Sequence, residues 1–422
     1  MFEWRTLDEE PTQAPPPPTQ PRQRRSILVL ALLLLIAGIS VLVWTLYQRQ
    51  QARLIADIQT TMRALDAAAN TRRTETLLRH LDPTAPLGWH AARIDDFVKL
   101  ETVWRTTTVE NATWLSRDRV LADVRTIYTT QPPQATPLLT TTQRLGMRLI
   151  NQTWRVSPIP EQAWGEPTIE TTPHFRILYR DADTDLARLL ASNVEMLAAT
   201  VHTYVGDPMP AAAHERLSII LTTDQNGLQP SLRQPVFDNQ LVLTSPVLLE
   251  RYDNRAPEHL AQEIILWWLT MHAIHNRTPD LFDRTATSLF TPARQGVLLW
   301  LAEQSGLLPN DPLLAAYQRI ACTLEWPALT ERARASQSSP YHAVALPGFN
   351  AEADKHVAHA YVLVDVLAQK GVSAGDLLTA TYQQPTWELV AAHLPTPISL
   401  SELDRARIRW RQTACAAATT AP

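Results

Sequence analysis

The sequence predicts an α+β protein that is attached to a membrane by one N-terminal helix, and three patterns lead to this prediction. The first is an uncharged apolar run at residues 26–47. The second is a change from helical to strand-like periodicity after Trp89. The third is an alternation of strand and helix patterns beyond residue 167, which ends in a long helical part.

Composition excludes several classes of function. The 422 residues carry a formal net charge of −4, so the basic excess of nucleic-acid-binding proteins is missing and we expect no nucleic acid as a partner. Glycine is scarce, at 11 residues, and no glycine-rich phosphate-binding motif is present. Two cysteines, Cys322 and Cys415, are too few for a thiolate zinc site. The sequence leaves open whether they form a disulfide or remain separate thiols.

Residues 26–47 predict a transmembrane helix. At 1.5 Å per residue this run is about 33 Å long, enough to cross a hydrocarbon core of about 30 Å. A cleaved signal peptide is the alternative, but the polar leader is long and no small-residue cleavage site follows. Residues 1–25 are rich in proline and predict a disordered tail. Because arginines such as Arg24 and Arg25 precede the run, we expect this tail in the cytoplasm and the C-terminal bulk outside the cell membrane.

Residues 48–160 predict a small α+β domain. Helical periodicity continues from Gln48 to about Ala68. Strand patterns follow at 102–109, 113–125 and 138–156. This order, and the closing Asn-Gln-Thr-Trp-Arg segment at 151–155, resemble the nuclear transport factor two-like superfamily, which implies a cone-shaped sheet around helices. The mouth of such a cone either holds a ligand or packs a partner.

A proline-bearing linker is predicted at 161–167, and a second α+β domain at 168–412. The second domain begins with a predicted strand at 168–179 and ends in helices, and residues 413–422 are expected to form a disordered tail. The remaining elements are a helix at 183–205, strands at 217–221 and 241–243, and helices from Pro257 and at 293–305. The helix from Pro257 is apolar on every side at 264–269, so we expect it to be buried all round.

Three segments of the second domain resemble the gluzincin zinc metallopeptidases, most closely their peptidase-MA-like family. Residues 174–179 (His-Phe-Arg-Ile-Leu-Tyr) are similar to the opening strand of that family. Residues 299–304 (Leu-Trp-Leu-Ala-Glu-Gln) are similar to the helix that carries its third zinc ligand. Residues 260–266 occupy the place of its H-E-x-x-H helix. The resemblance implies a gluzincin-like fold with Glu263 as the base and Glu303 as the third ligand.

The two zinc-binding histidines of this motif are replaced. Gln262 stands at the first histidine position and Leu266 at the second, and neither side chain can substitute for imidazole. Zinc lowers the pKa of the water that it binds to about 7, and without zinc Glu263 has no such water to activate. We therefore expect a pseudo-peptidase with no catalytic residue, no metal and no cofactor, which binds a peptide or protein partner in the inherited cleft.

A divergent metal-dependent peptidase or hydrolase is the alternative. His259 lies one helical turn before Glu263, so these two residues and Glu303 are the candidate ligands of a rebuilt zinc site. The competing interpretation is structural, with His259 bonded locally and the two carboxyl groups forming a buried pair if they meet. Bound zinc would favour the hydrolase, and a folded domain without zinc would favour the binding protein.

Overall fold

The structure is a computed structural model that describes residues 22–98, 104–129, 139–209, 216–224, 239–252, 255–281, 291–307, 311–323, 325–331, 351–384 and 386–420. The chain has the predicted α+β architecture, with a long apolar N-terminal helix, two sheets and a helical C-terminal part. It divides into two compact units, Met1–Leu54 and Ile55–Pro422. Most of the predicted N-terminal tail lies outside the described residues.

The N-terminal helix α1 extends from Arg22 to Asn70 and contains the predicted transmembrane run. Its apolar side chains stay exposed, with Leu34 66% and Val41 63% accessible to solvent. The helix is long and apolar enough to cross a membrane, although a signal sequence near the N-terminus meets the same criteria of length and composition. The continuation of the helix beyond Gln48 confirms the predicted helical periodicity.

The first sheet follows two short helices, α2 (Thr74–Arg79) and α3 (Leu87–Val98). Its strands are antiparallel and lie in sequence order: β1 (Trp104–Ser116), β2 (Arg119–Thr129), β3 (Leu139–Ile150) and β4 (Thr153–Val156). The predicted strands at 102–109 and 113–125 are divided at the wrong place. Strand β1 continues through an irregularity between Val109 and Asn111, and the chain turns between Ser116 and Arg119 instead. The predicted single strand at 138–156 is a hairpin whose turn residues, Asn151 and Gln152, have φ of 50° and 63°.

The second sheet has the order β5 (Pro167–Thr171), β6 (Phe175–Arg180), β7 (Leu217–Thr222) and β8 (Gln240–Thr244). Strands β6, β7 and β8 are parallel, while β5 runs antiparallel to β6. The predicted strand at 168–179 is therefore two strands, because the chain reverses around Pro173. One face of the sheet packs against helix α4 (Thr184–Tyr204) through buried residues such as Ile177.

The C-terminal part is helical, as predicted. Its helices are α5 (Pro257–Arg277), α6 (Thr291–Ser305), α7 (Pro312–Thr323), α8 (Ala351–Gln369), α9 (Ala374–Gln383), α10 (Trp387–His393) and α11 (Leu400–Thr420). Helix α5 is buried at every position from Ala261 to Ile274 except Trp267, which confirms that an all-round apolar helix lies inside the core.

The predicted linker at 161–167 is ordered. Trp164 lies in a short 3-10 helix, is 4% exposed and donates a hydrogen bond of 2.7 Å to Asp183. Glu161 accepts a hydrogen bond of 3.0 Å from the backbone N–H of Thr223, directly after β7. A further contact joins the flanking regions, because β9 (Arg251–Tyr252) adds to β3 of the first sheet. The linker is thus packed against the ends of parallel strands.

The two cysteines form a disulfide that joins α7 to α11. Cys322 and Cys415 are separated by 93 positions in the sequence. The predicted disordered tail from residue 413 is wrong, since α11 continues to Thr420 and carries Cys415. A disulfide together with an apolar N-terminal helix indicates an anchored or secreted protein whose bulk is in an oxidising compartment.

Replacing Cys415 with serine is expected to lower the free energy of unfolding by about 2–4 kcal/mol, because the unfolded chain regains the freedom of a long loop. Urea unfolding of the full chain in detergent, followed by circular dichroism, measures the loss. A reductant should destabilise the wild-type chain by a similar amount and leave Cys415→Ser unchanged. Equal stability of the oxidised wild type and Cys415→Ser would contradict this expectation.

Candidate functional site

The candidate site lies around Glu263, on the buried helix α5. Glu263 is 2% exposed and is ion-paired with the guanidinium of Arg255, which lies just before the helix. The same guanidinium nitrogen lies 3.0 Å from a carboxylate oxygen of Asp311, directly before α7. All three side chains are at most 3% exposed. The guanidinium of Arg255 is therefore the positive charge beside Glu263.

Burial controls the protonation of this centre. It raises the pKa of Glu263 to about 7, because desolvation outweighs the opposing effect of Arg255, and the neighbouring charge of Asp311 acts in the same direction as burial. Burial opposes the charge of Arg255, but Glu263 and Asp311 nevertheless hold its pKa above the usual value. Burial, Asp354 and Glu263 raise the pKa of Tyr317 well above its usual range. The guanidinium is thus charged, and Glu263 is the group that titrates near neutral pH.

The positions of the missing histidines lie in closed core. Gln262 is 2% exposed and Leu266 is fully buried. The carboxamide oxygen of Gln262 accepts no hydrogen bond within the described ranges. Among the residues that the structure describes, no group of three or more histidine, cysteine, aspartate and glutamate side chains is arranged to hold a metal ion.

Glu303, the predicted third ligand, has different partners from Glu263. The hydroxyl of Tyr361 donates a hydrogen bond of 2.6 Å to one of its carboxylate oxygens, and the amide of Gln318 donates one of 3.2 Å to the other. Burial and the bond to Glu303 raise the pKa of Tyr361. In the described part of the chain, Glu263 and Glu303 share no hydrogen-bond or ion-pair partner, and the arginine beside Glu263 is Arg255.

His259 is partly buried, and its ring Nδ1 has no hydrogen-bond partner within the described part of the chain. No hydrogen bond or ion pair in that part joins it to Glu263 or Glu303. The core histidine His359 has another environment. Its Nε2 lies 2.8 Å from Arg407, and burial together with that charge lowers its pKa well below the usual value.

Arg255 and Asp311 were not found from the sequence. Asp311-Pro312 does carry a local signal, that of a helix start, and the Asp311 carboxylate accepts a hydrogen bond of 2.9 Å from the backbone N–H of Leu313. No spacing rule relates this aspartate to Glu263, because the pair is formed by tertiary packing. Arg255, eight residues before Glu263, likewise carries no motif.

No protein-family model matches the chain, and neither a curated protein nor a solved structure does. The resemblances to the gluzincins and to the nuclear transport factor two-like superfamily therefore remain hypotheses.

Proposed function

We propose that this chain is a single-pass membrane protein with a cytoplasmic N-terminus, whose extracytoplasmic domain binds a peptide or protein partner and is a degenerate peptidase. The ion pair between Arg255 and Glu263 carries this proposal. A peptidase base of this type takes a proton from metal-bound water. Here the same carboxylate contacts a guanidinium and is 2% exposed, so it is closed to bulk solvent and to a peptide substrate.

The arrangement of the sheets supports the assignment of a cone-like first domain and a gluzincin-like second domain. Helices followed by antiparallel strands suit a cone-like first domain, and a mixed sheet followed by buried helices suits a gluzincin-like second domain. Glu263 pairs with Arg255 while Glu303 bonds to Tyr361 and Gln318, and these separate partners support the loss of a shared metal centre. A fold by itself does not determine a function, which depends on the residues of the site.

Strand β5 is the place that we propose for the partner. It is the outermost strand of the second sheet, and Ile169 on it is 59% exposed. An outermost strand presents backbone groups that an extended peptide pairs with, and exposed side chains then contribute to its specificity.

Metal analysis tests whether the zinc site of a peptidase has been lost. The full chain, purified in detergent and dialysed against zinc, is expected to retain far less than one zinc per chain by elemental analysis. About one zinc per chain, lost on Glu303→Ala, would overturn the proposal.

Photo-crosslinking in membranes tests the partner site. A photo-crosslinking residue at Ile169 is expected to form protein adducts that the same residue at the exposed Leu189 of α4 does not form.

A metal-dependent hydrolase is the second candidate, and two observations favour it. The pKa of Glu263, about 7, suits a general base at neutral pH, and Nδ1 of His259 has no hydrogen-bond partner among the described residues. Under this alternative Arg255 has to leave Glu263 before zinc enters. Zinc bound by the wild-type chain and lost on either His259→Ala or Glu303→Ala would establish the metal site that this hydrolase requires.

A further inference from the structure

A groove lies beside the first sheet, between the last turns of α1 and strand β1, and none of its lining residues belongs to the Glu263 centre. Its volume is about 390 Å³, within the range of about 300–1,000 Å³ that is typical of small-molecule sites. Arg63 and Ala67 line it from the helix, and Trp104, Thr106 and Thr108 line it from the strand.

Polar side chains of α1 bridge the helix to the outer edge of β1. Gln59 donates to the carbonyl of Thr107 and accepts from the N–H of Val109, each at 2.7 Å. Asn70 bonds both backbone groups of Arg105 at 2.9 Å. Since each carboxamide has two N–H groups and uses one here, Gln59 and Asn70 each keep a spare donor at the groove.

The charge of the groove is positive. Its buried floor holds the ion pair of Asp66 with Arg105, at 2.8 Å, and the two charges of this pair neutralise each other. Arg63 is exposed on the helix and has no ion-pair partner in the described part of the chain. The remaining cation is therefore free to bind a carboxylate through two parallel hydrogen bonds.

The open side of β1 adds an apolar surface and hydroxyl groups. Trp104 is 38% exposed, and Thr106 and Thr108 are exposed on the same face of the strand. A sugar ring has a face of C–H groups that packs on an indole, and hydroxyl groups that pair with amides and hydroxyls. A uronic acid adds the carboxylate that Arg63 requires.

We propose that this groove is a binding site for an acidic saccharide, with Trp104 as the platform for a sugar ring and Arg63 as the partner of its carboxylate. A peptide fits less well, because Gln59, Asp66 and Asn70 already occupy outward backbone groups of β1 that strand addition would need. The site goes beyond the proposed partner binding at β5 and does not depend on it.

Calorimetric titration of the full chain, in a detergent without sugar groups, tests the proposal. The probes are trigalacturonate and a hyaluronan tetrasaccharide, with neutral galactotriose and tetraglutamate for comparison. At least one acidic saccharide is expected to bind with a Kd below about 1 mM, and galactotriose about tenfold or more weakly. Arg63→Gln should abolish this preference, and Arg63→Lys should keep part of it.

Trp104→Ala is expected to weaken the binding of the acidic saccharide by about tenfold or more. The matched control is Trp114→Ala, which removes a 50% exposed indole from the same strand outside the groove and should leave the affinity unchanged. Three outcomes would overturn the proposal. They are no binding of either acidic saccharide, an affinity that neither Arg63→Gln nor Trp104→Ala changes, or an affinity for tetraglutamate equal to that for the acidic saccharide.

Discussion

Replacing Arg255 with alanine is expected to lower the free energy of unfolding by about 3–5 kcal/mol. The side chain is 3% exposed and is the ion-pair partner of both Glu263 and Asp311. Its removal leaves two carboxyl groups in the core without a counter-charge, and a buried unpaired charge costs far more than an exposed one. Urea unfolding of the full chain in detergent, followed by circular dichroism, measures this loss.

A second substitution separates the charge from the packing. Arg255→Ala combined with Glu263→Gln should be less destabilised than Arg255→Ala alone, because a neutral amide needs no cation. The matched control is Arg176→Ala, on an exposed position of β6, with an expected change within about 0.5 kcal/mol. If Arg255→Ala costs no more than this control, the guanidinium does not hold the centre together.

The sequence allowed half of this centre to be predicted. Glu263 could be placed on a buried helix, because the apolar run around it covers every side of that helix. Its counter-ion could not be placed, because Arg255 and Asp311 approach it from a preceding segment and from the start of another helix. Local patterns report which residues share a helix face, whereas ion pairs between segments depend on packing.

The positions of the helices and strands were predicted better than the residues at which the strands end. The helices α4 and α5 and the strands β7 and β8 appear close to their expected places, because each is a long or strongly apolar run. Three turns were missed, because the predicted strands at 113–125, 138–156 and 168–179 each contain a reversal of the chain. These turns are short and their composition is close to that of the strands beside them, so single residues such as Asp118, Asn151 and Pro173 were the only signs of the reversals.

Stability is expected to fall as the pH rises from about 4.5 to about 7, through the titration of Glu263. Its pKa is raised from the ordinary 4.5 to about 7 in the folded chain, so between these values the folded state holds a proton that the unfolded state has lost. The contribution is complete below the unfolded pKa and is lost as the pH passes the folded pKa. At about 1.4 kcal/mol per pKa unit it amounts to about 3 kcal/mol.

The difference between wild type and Glu263→Gln isolates this contribution. Other carboxyl groups also change the total, since burial raises the pKa of Asp183, while hydrogen bonds lower that of Glu161. These effects are common to both proteins and cancel in the difference. Urea unfolding at pH 5 and pH 8 should show wild type losing about 2–3 kcal/mol more than Glu263→Gln, since part of the contribution is already lost at pH 5. A Glu263 that stayed ionised with Arg255 throughout would give no such difference, and the arginine would then dominate over burial at this centre.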